Sequence, residues 1–276
     1  MSLAQSIKLK EQIINQYKHA YQILMDEHDL SPNNPIINQT LYSLVNNLGQ
    51  FFEHELEDEI LSDREIVKIR SDMLRKLETA ETLMEFHYAE KFINDTPNIN
   101  NLKKFIYWDN YEKLVDIELK KLFAIIERQS LSSIAFVGAG PLPLSTILLQ
   151  QQTRKPVVCL DINTAAYEVG KTLIEQYGLQ HSLTYILADG SSYHYNGCDL
   201  VWIASLVPNK EEVVKRIYET NPNAVVAIRS VDGIYQLLYE PVDATVFQNV
   251  VCEEIGRTKA NSSIINSTIF YRFQSV

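Results

Sequence analysis

Residues 134–149 constrain the fold of this chain more than any other stretch. Ile134-Ala135-Phe136-Val137 is a short run of β-favouring apolar residues that breaks off in Gly138-Ala139-Gly140. Pro141-Leu142-Pro143 then leads into a helix-compatible apolar segment, 144–149. A buried strand, a tight glycine turn and a helix start, in that order, is how a doubly wound α/β sheet presents a nucleotide. Gly138 and Gly140 let the backbone turn and approach a ligand closely. Proline is tolerated at a helix start, where its missing N–H costs no intrahelical bond. A phosphate cradle needs several donors there, however, and Pro141 and Pro143 remove two. The loop therefore suits an uncharged nucleoside better than a pyrophosphate.

Two later segments support a nucleoside site. Val157-Val158-Cys159-Leu160-Asp161 reads as a second short strand ending in an acid, about 20 residues on, where a carboxylate accepts hydrogen bonds from ribose hydroxyls. Leu183-Thr184-Tyr185-Ile186-Leu187-Ala188-Asp189 reads as a third strand with an acid at its carboxyl end, the adenine side of such a site. Each Asp alone reads first as a helix cap or turn former. At successive strand ends of one sheet they favour a ligand, and S-adenosylmethionine, an adenosine without phosphate, fits the proline-rich loop.

The chain divides by hydrophobic period. Residues 1–128 read as an N-terminal helical domain, with apolar positions near a 3.6-residue repeat in 7–29 (Ile13, Ile14, Tyr17, Tyr21, Leu24) and 36–59 (Leu41, Leu44, Val45, Leu48, Phe52). Ser62, with Glu65 three residues on, forms a capping box for a third helix running towards Phe92. Thr96-Pro97-Asn98 breaks the chain, and a further helix starts near Asn110. Residues 129–276 alternate strand and helix, with strands expected near 133–138, 156–161, 183–187, 199–204, 223–229, 245–250 and 264–272. That pattern predicts a Rossmann-like, methyltransferase-type α/β sheet with right-handed crossovers and an antiparallel last pair.

With 276 residues, 46% hydrophobic and 22% charged, the chain has a globular composition. A net charge of −10 argues against nucleic acid as a partner. No apolar run reaches membrane-spanning length, and the N-terminus lacks a signal peptide's apolar core. Cys159, Cys198 and Cys252 have no metal spacing and read as reduced structural thiols of a cytoplasmic protein. The six histidines show no paired spacing, so no metal site is expected. A homodimer is left open.

Two segments of the helical half could carry chemistry. Glu81 and Glu85 are four apart and share a helix face, where like charges repel and raise a carboxyl pKa towards that of a usable base. The plainer alternative is a solvated acidic face. Phe105-Ile106-Tyr107-Trp108-Asp109-Asn110-Tyr111 is dense enough in aromatics and amides to line a small polar pocket, or to staple elements together.

These residues resemble a known family. Phe136-Val137-Gly138-Ala139-Gly140-Pro141-Leu142-Pro143-Leu144 resembles the loop of nicotianamine synthases, which reads FxGSGPLPL. Ala80-Glu81-Thr82-Leu83-Met84-Glu85-Phe86-His87 is similar to the family helix with Ala-Glu and a later Glu-x-His, and 105–111 to its FPYYxNY segment. Leu200 to Val207, Ile228-Arg229-Ser230, Leu238-Tyr239-Glu240-Pro241 and Ile264 to Phe270 resemble further family segments. The resemblance implies transfer of the 3-amino-3-carboxypropyl (aminobutanoyl) group of S-adenosylmethionine to an amine, releasing methylthioadenosine. It implies Glu81 as base, Tyr107 as its partner, and Glu85 and His87 as further candidates. Gly138, Gly140, Pro141, Leu142, Asp161 and Asp189 would hold the nucleoside, and Asn110 and Tyr111, with Tyr107, the aminocarboxypropyl arm.

Ile106, Trp108 and Asp232 depart from the plant pattern, and Lys, Asn and Ile usage looks bacterial. The resemblance is thus nearest the bacterial relatives that load D-histidine on the way to the metallophore staphylopine. Three alternatives remain open: a nicotianamine synthase using S-adenosylmethionine alone, a conventional methyltransferase, and a non-catalytic module whose acidic face near 53–63 meets a partner.

Overall fold

The computed structural model describes residues 3–52 and 56–274. Its helices follow from buried residues at helical spacing. In α1 (Leu3–Asp26), Ile13, Tyr17, Ala20 and Leu24 form one buried stripe. α2 (Pro35–Phe51) opens with proline in its first turn, and the Asn34 side chain accepts the Ile36 N–H at 3.0 Å. It buries Ile37, Thr40, Leu44 and Leu48. The helix expected to reach residue 59 ends at Phe51, and a separate α3 (Glu57–Leu61) follows. Of the expected acidic face, residues 53–55 lie outside the described residues, as does His54 among the histidines.

α4 (Arg64–Asn94) is not capped by Ser62. The Ser62 hydroxyl donates to the Asp58 carbonyl at 2.6 Å and closes α3 instead. Asp63, one residue later, accepts the Glu65 N–H at 3.0 Å and starts α4. A 3₁₀ segment (Ile99–Lys104) leads to α5 (Trp108–Phe123), which begins two residues before the expected start.

The alternating part forms one seven-stranded sheet in the order β3-β2-β1-β4-β5-β7-β6. Its strands are β1 (Ile134–Val137), β2 (Val157–Asp161), β3 (Leu183–Leu187), β4 (Leu200–Ile203), β5 (Val225–Val231), β6 (Cys252–Arg257) and β7 (Asn266–Phe273). α6 (Leu144–Thr153), α7 (Thr164–Gln176) and α8 (Lys210–Thr220) are the crossovers. β1 pairs in parallel with both β2 and β4 (Val137 opposite Leu160 and Ile203), so the strand order reverses at β1. Ligands bind beyond the carboxyl ends of strands at such a switch point. β6 and β7 are antiparallel, as expected, but the sixth strand lies at 252–257 rather than 245–250. Asp243 accepts the Thr245 N–H at 2.7 Å and winds Ala244–Phe247 into a 3₁₀ turn, so the apolar residues there do not extend. This is a methyltransferase-type α/β fold with a helical N-terminal region.

The chain makes two compact units. One holds Met1–His87, Val231–Pro241 and Ala260–Asn266; the other holds Tyr88–Ser230, Val242–Lys259 and Ser267–Val276. The division expected at residue 128 falls inside the second unit. The first unit's core joins α1–α4 residues such as Tyr17, Leu44, Ile66 and Met73 to Ile234, Tyr235, Leu237, Leu238 and Ala260. Gly49 in α2 is where segment 260–266 comes in, since a Cβ there would lie 2.7 Å from the Ser262 carbonyl oxygen. In the second unit, one core layer stacks Ala135, Val137, Val201, Ile203, Val226 and Ile228 against Val213, Val214 and Ile217 of α8.

Candidate functional site

In the sheet unit, the loop after β1 is pinned by its neighbours. Gly138 and Gly140 both have positive φ, 79° and 69°, which only glycine adopts without strain. The Gly138 and Ala139 N–H groups both donate to the Leu160 carbonyl, at 2.8 and 3.1 Å. The Gly140 N–H donates to Asp161 Oδ2 at 2.8 Å, and its carbonyl accepts the Tyr185 hydroxyl at 2.6 Å. A Cβ on Gly138 would lie 2.7 Å from Val207 Cγ2, in the loop that follows β4. Lys210 Nζ holds that loop by the Ser205 and Val207 carbonyls, at 2.7 and 2.6 Å. Pro141, Leu142 and Pro143 are buried, with Pro143 at the N-cap of α6.

Asp161 forms the turn that its position allowed and also reaches the glycine loop. Oδ1 accepts the Asn163 N–H at 2.9 Å, a turn-forming bond ahead of α7, while Oδ2 braces the glycine loop. A carboxylate has about four lone-pair sites, so two backbone donors leave capacity for a ligand hydroxyl. Asp189 is placed likewise beyond β3. Its Oδ1 accepts the Ser191 N–H at 2.8 Å and the Asn209 amide at 3.5 Å. The Ser191 backbone bond, first among the causes, holds its carboxyl below the usual range. Beside these two acids the strand ends expose apolar side chains: Ile162 is 66% exposed and Leu187 43%. Such surface beyond parallel strands suits the face of a flat aromatic base.

A buried ion pair underlies α6. Arg229 of β5 makes a two-pronged contact with Glu118 of α5, Nε to Oε1 and Nη2 to Oε2, both at 3.0 Å. Its Nη1 donates to Ser145 Oγ, in the first turn of α6, at 2.8 Å. The Thr268 hydroxyl of β7 also donates to Glu118. The Glu118 side chain is fully buried and that of Arg229 is 7% exposed. Sequence reasoning missed this pair as a feature of the site. The signals were there: Glu118 sits on the apolar stripe of Leu114, Val115, Leu119 and Leu122, and Arg229 interrupts a wholly buried strand.

The segment 105–111 splits by role. Phe105 and Trp108 are buried, as a staple would be. The rings of Tyr107 and Tyr111 pack edge-on to Phe105 at 5.8 and 5.9 Å. Tyr107 stands at the N-cap of α5, half-buried, and Asn110 is exposed in the first turn. These residues belong to the sheet unit rather than to a unit made of residues 1–128.

In the helical unit, Glu81, Glu85 and His87 lie half-buried on α4. Glu81 Oε2 accepts the Tyr239 hydroxyl at 2.7 Å, so Glu81 is not merely one charge on a wet face. Tyr239 was visible in the sequence only within the Leu-Tyr-Glu-Pro resemblance, and nothing local marked it as a partner of α4. Among the described residues, no group of three or more His, Cys, Asp or Glu side chains is placed to hold a metal ion, and no helix is long and apolar enough to cross a membrane.

Comparisons with known proteins identify the family. A family model described as nicotianamine synthase protein matches residues 5–276. Nicotianamine synthase 3 of Arabidopsis thaliana is 30% identical over 218 residues, covering 74% of this chain and 67% of its own. Nicotianamine synthase 9 of Hordeum vulgare is 27% identical over 216 residues, covering 74% of this chain. The match spans 63% of the Hordeum protein, so this chain corresponds to about two thirds of such relatives. Among solved structures, a mutant of MtNAS superposes with a TM-score of 0.82 over the whole of both chains at 18% identity. MtNAS in complex with MTA and tNA gives 0.79. At that identity the likeness speaks for the fold, and the sequence match carries the rest: the chain belongs to the nicotianamine synthase family.

Proposed function

We propose that this protein transfers the 3-amino-3-carboxypropyl group of S-adenosylmethionine to an amine acceptor and releases methylthioadenosine. The observation that carries this reading is the glycine loop braced by Asp161. It has two positive-φ glycines, two prolines in place of phosphate donors, and a carboxylate with remaining acceptor capacity. In this reading Asp161 accepts from the ribose hydroxyls, and Ile162 and Leu187 flank the base with Asp189 at its edge. Gly138, Gly140, Pro141 and Leu142 form the wall against the nucleoside. Tyr107, Asn110 and Tyr111 grip the aminocarboxypropyl arm, so that this arm rather than the methyl group meets the acceptor. A solved mutant of MtNAS in complex with S-adenosylmethionine supports the donor by analogy of family and fold.

The donor's sulfonium supplies an excellent leaving group. The protein's tasks are therefore to position the two reactants and to remove a proton. The acceptor nitrogen's lone pair forms the new N–C bond at the carbon next to sulfur. The C–S bond breaks, and its electron pair stays on sulfur as a neutral thioether. Glu81 takes the proton that the nitrogen loses, and Tyr107 orients the amine. Glu85 and His87 stand behind Glu81 as alternatives on the same helix.

For the acceptor we propose D-histidine, on the resemblance to the bacterial relatives rather than on any single residue, with a product of staphylopine type that chelates metal. The names of the plant relatives favour the second reading, a nicotianamine synthase that needs S-adenosylmethionine alone. A cytoplasmic setting fits three free thiols. Incubation with S-adenosylmethionine alone, or with D- or L-histidine added, read by mass spectrometry and nucleoside chromatography, separates these readings. Methylthioadenosine with a histidine adduct supports the first. Methylthioadenosine without any need for histidine supports the second. Accumulation of S-adenosylhomocysteine means a methyltransferase and overturns both.

A further inference from the structure

Segment 231–241 follows the fifth strand in the chain yet belongs to the helical unit, and it brings Tyr239 to Glu81. We propose that Tyr239 is a positioning residue for the transfer: its hydroxyl fixes the Glu81 carboxylate in the orientation, and the ionised state, in which it takes the acceptor's proton. This inference rests on reading Glu81 as the base.

The bond is not needed to dock the segment. Arg70 does that from three turns earlier on α4, donating from Nε to the Gln236 carbonyl at 2.8 Å and from Nη2 to the Tyr239 carbonyl at 3.3 Å. Its two terminal nitrogens also grip the Glu240 carboxylate at 3.0 and 2.8 Å. The Tyr17 hydroxyl donates to the Leu237 carbonyl at 2.9 Å, and that of Tyr235 to the Asn261 carbonyl at 2.8 Å. Ile234, Leu237 and Leu238 are buried in the same core. With the backbone held at Gln236, Leu237 and Tyr239 and the Glu240 carboxylate gripped by Arg70, the phenol adds little to docking.

What the phenol does constrain is Glu81. Arg70 and Glu81 are eleven residues apart on one helix, about 16 Å along one face, and the Tyr239 side chain reaches Glu81 from the segment that Arg70 holds. A glutamate side chain has several rotamers to lose. The Tyr239 O–H on Oε2 narrows that choice, and a carboxylate that accepts a hydrogen bond can still take a proton. A hydrogen bond to the charged form also favours that form. A base fixed in direction and ionised is what amine deprotonation requires.

The test compares wild type, Tyr239→Phe, Glu81→Gln and the double variant. Phenylalanine keeps the ring against the core and removes only the hydroxyl. We expect Tyr239→Phe to lower kcat about tenfold, the worth of one hydrogen bond at the reacting step, with KM for S-adenosylmethionine nearly unchanged. In the Glu81→Gln background the same change should cost nothing further, because its route of action is gone. Independently of turnover, the ¹³C resonance of the Glu81 carboxyl, assigned by its loss in Glu81→Gln, should titrate at higher pH in Tyr239→Phe. Glu78 and Glu85 on the helix and the Arg70–Glu240 pair are left intact by that variant, so the shift reports the lost O–H bond. Wild-type kcat in Tyr239→Phe, or an equal loss in both backgrounds, overturns the proposal, as does an unmoved titration. Absence of transfer by the wild type overturns the functional reading instead, and the titration still decides whether Tyr239 holds Glu81.

Discussion

Removing Glu118 should destabilise this protein severely, and the size of the effect follows from the burial of its partner. Glu118→Ala deletes both acceptors of the Arg229 fork and the acceptor of Thr268. It leaves a guanidinium, 7% exposed, without its carboxylate; Ser145 Oγ and the face of Phe136, 5.5 Å away, are neutral neighbours that cannot replace that charge. A cation–π contact of that kind contributes about 0.5–2 kcal/mol. Breaking a buried pair by removing one partner costs about 3–5 kcal/mol, because the remaining charge cannot be rehydrated. For a chain of this size that lowers Tm by roughly 10 °C. Urea unfolding followed by circular dichroism measures the loss, with an unchanged slope showing that compactness is kept. The pair Glu118→Leu with Arg229→Met removes both charges, and most of the stability should return. Affinity for S-adenosylmethionine should not return with it, because Ser145 at the start of α6 has lost its anchor. A Glu118→Ala protein within about 1 kcal/mol of wild type would refute the argument, since it would mean that water reaches Arg229.

Other outcomes follow from the same geometry. Asp161→Asn turns one acceptor into a donor facing the Gly140 or Asn163 N–H, a loss of about 1.5–3 kcal/mol, so affinity for S-adenosylmethionine should fall about tenfold or more in a folded protein; calorimetry showing unchanged affinity removes Asp161 from the site. Gly138→Ala puts a Cβ at positive φ and 2.7 Å from Val207, and should cost about 2–4 kcal/mol by thermal unfolding; a neutral variant would show that the loop after β4 yields freely. Burial pushes the Cys159 thiol up to about 12, so at pH 8 only about one molecule in 10⁴ carries the thiolate; iodoacetamide should modify half-buried Cys252 first, and early labelling of Cys159 would contradict the packing of β2. A fragment of residues 1–128 lacks Ile234, Tyr235, Leu237 and Leu238, each worth about 1.5–3 kcal/mol of burial, and should not unfold cooperatively; dispersed methyl resonances from it would refute that reading.

The sheet was legible because its determinants are local. The parallel strands β1, β2 and β4 read as short apolar runs, with β1 stopped by Gly138 and β2 ending in Asp161. The loop after β1 announced itself by Gly-x-Gly, and Asp161 by its distance from it. Boundaries failed where side chains closer than the pattern length decided them. Ser62 satisfies the last turn of α3 before it can cap α4, and Asp243 winds the turn that replaces the expected sixth strand. At both places one side-chain-to-backbone bond outcompetes hydrophobic periodicity, which averages over ten or more residues and cannot register it.

The helical unit was less legible for a different reason. Its core is completed by residues that come after β5, and none of the first 87 residues carries a mark of that debt. Tyr17 looks like an ordinary stripe residue until its hydroxyl is seen to donate to the Leu237 carbonyl. Arg70 looks like a solvated charge on α4, yet it holds Gln236, Tyr239 and Glu240. The same blindness hid a partner of Glu81. Glu81 and Glu85 share the helix spacing that suggested an acidic face, and spacing alone treats them alike. The Tyr239 hydroxyl reaches Glu81 from 158 residues further along the chain. A periodic pattern can report which face of a helix is buried. It carries no information about which distant segment buries it, and in this protein the proposed base depends on that segment.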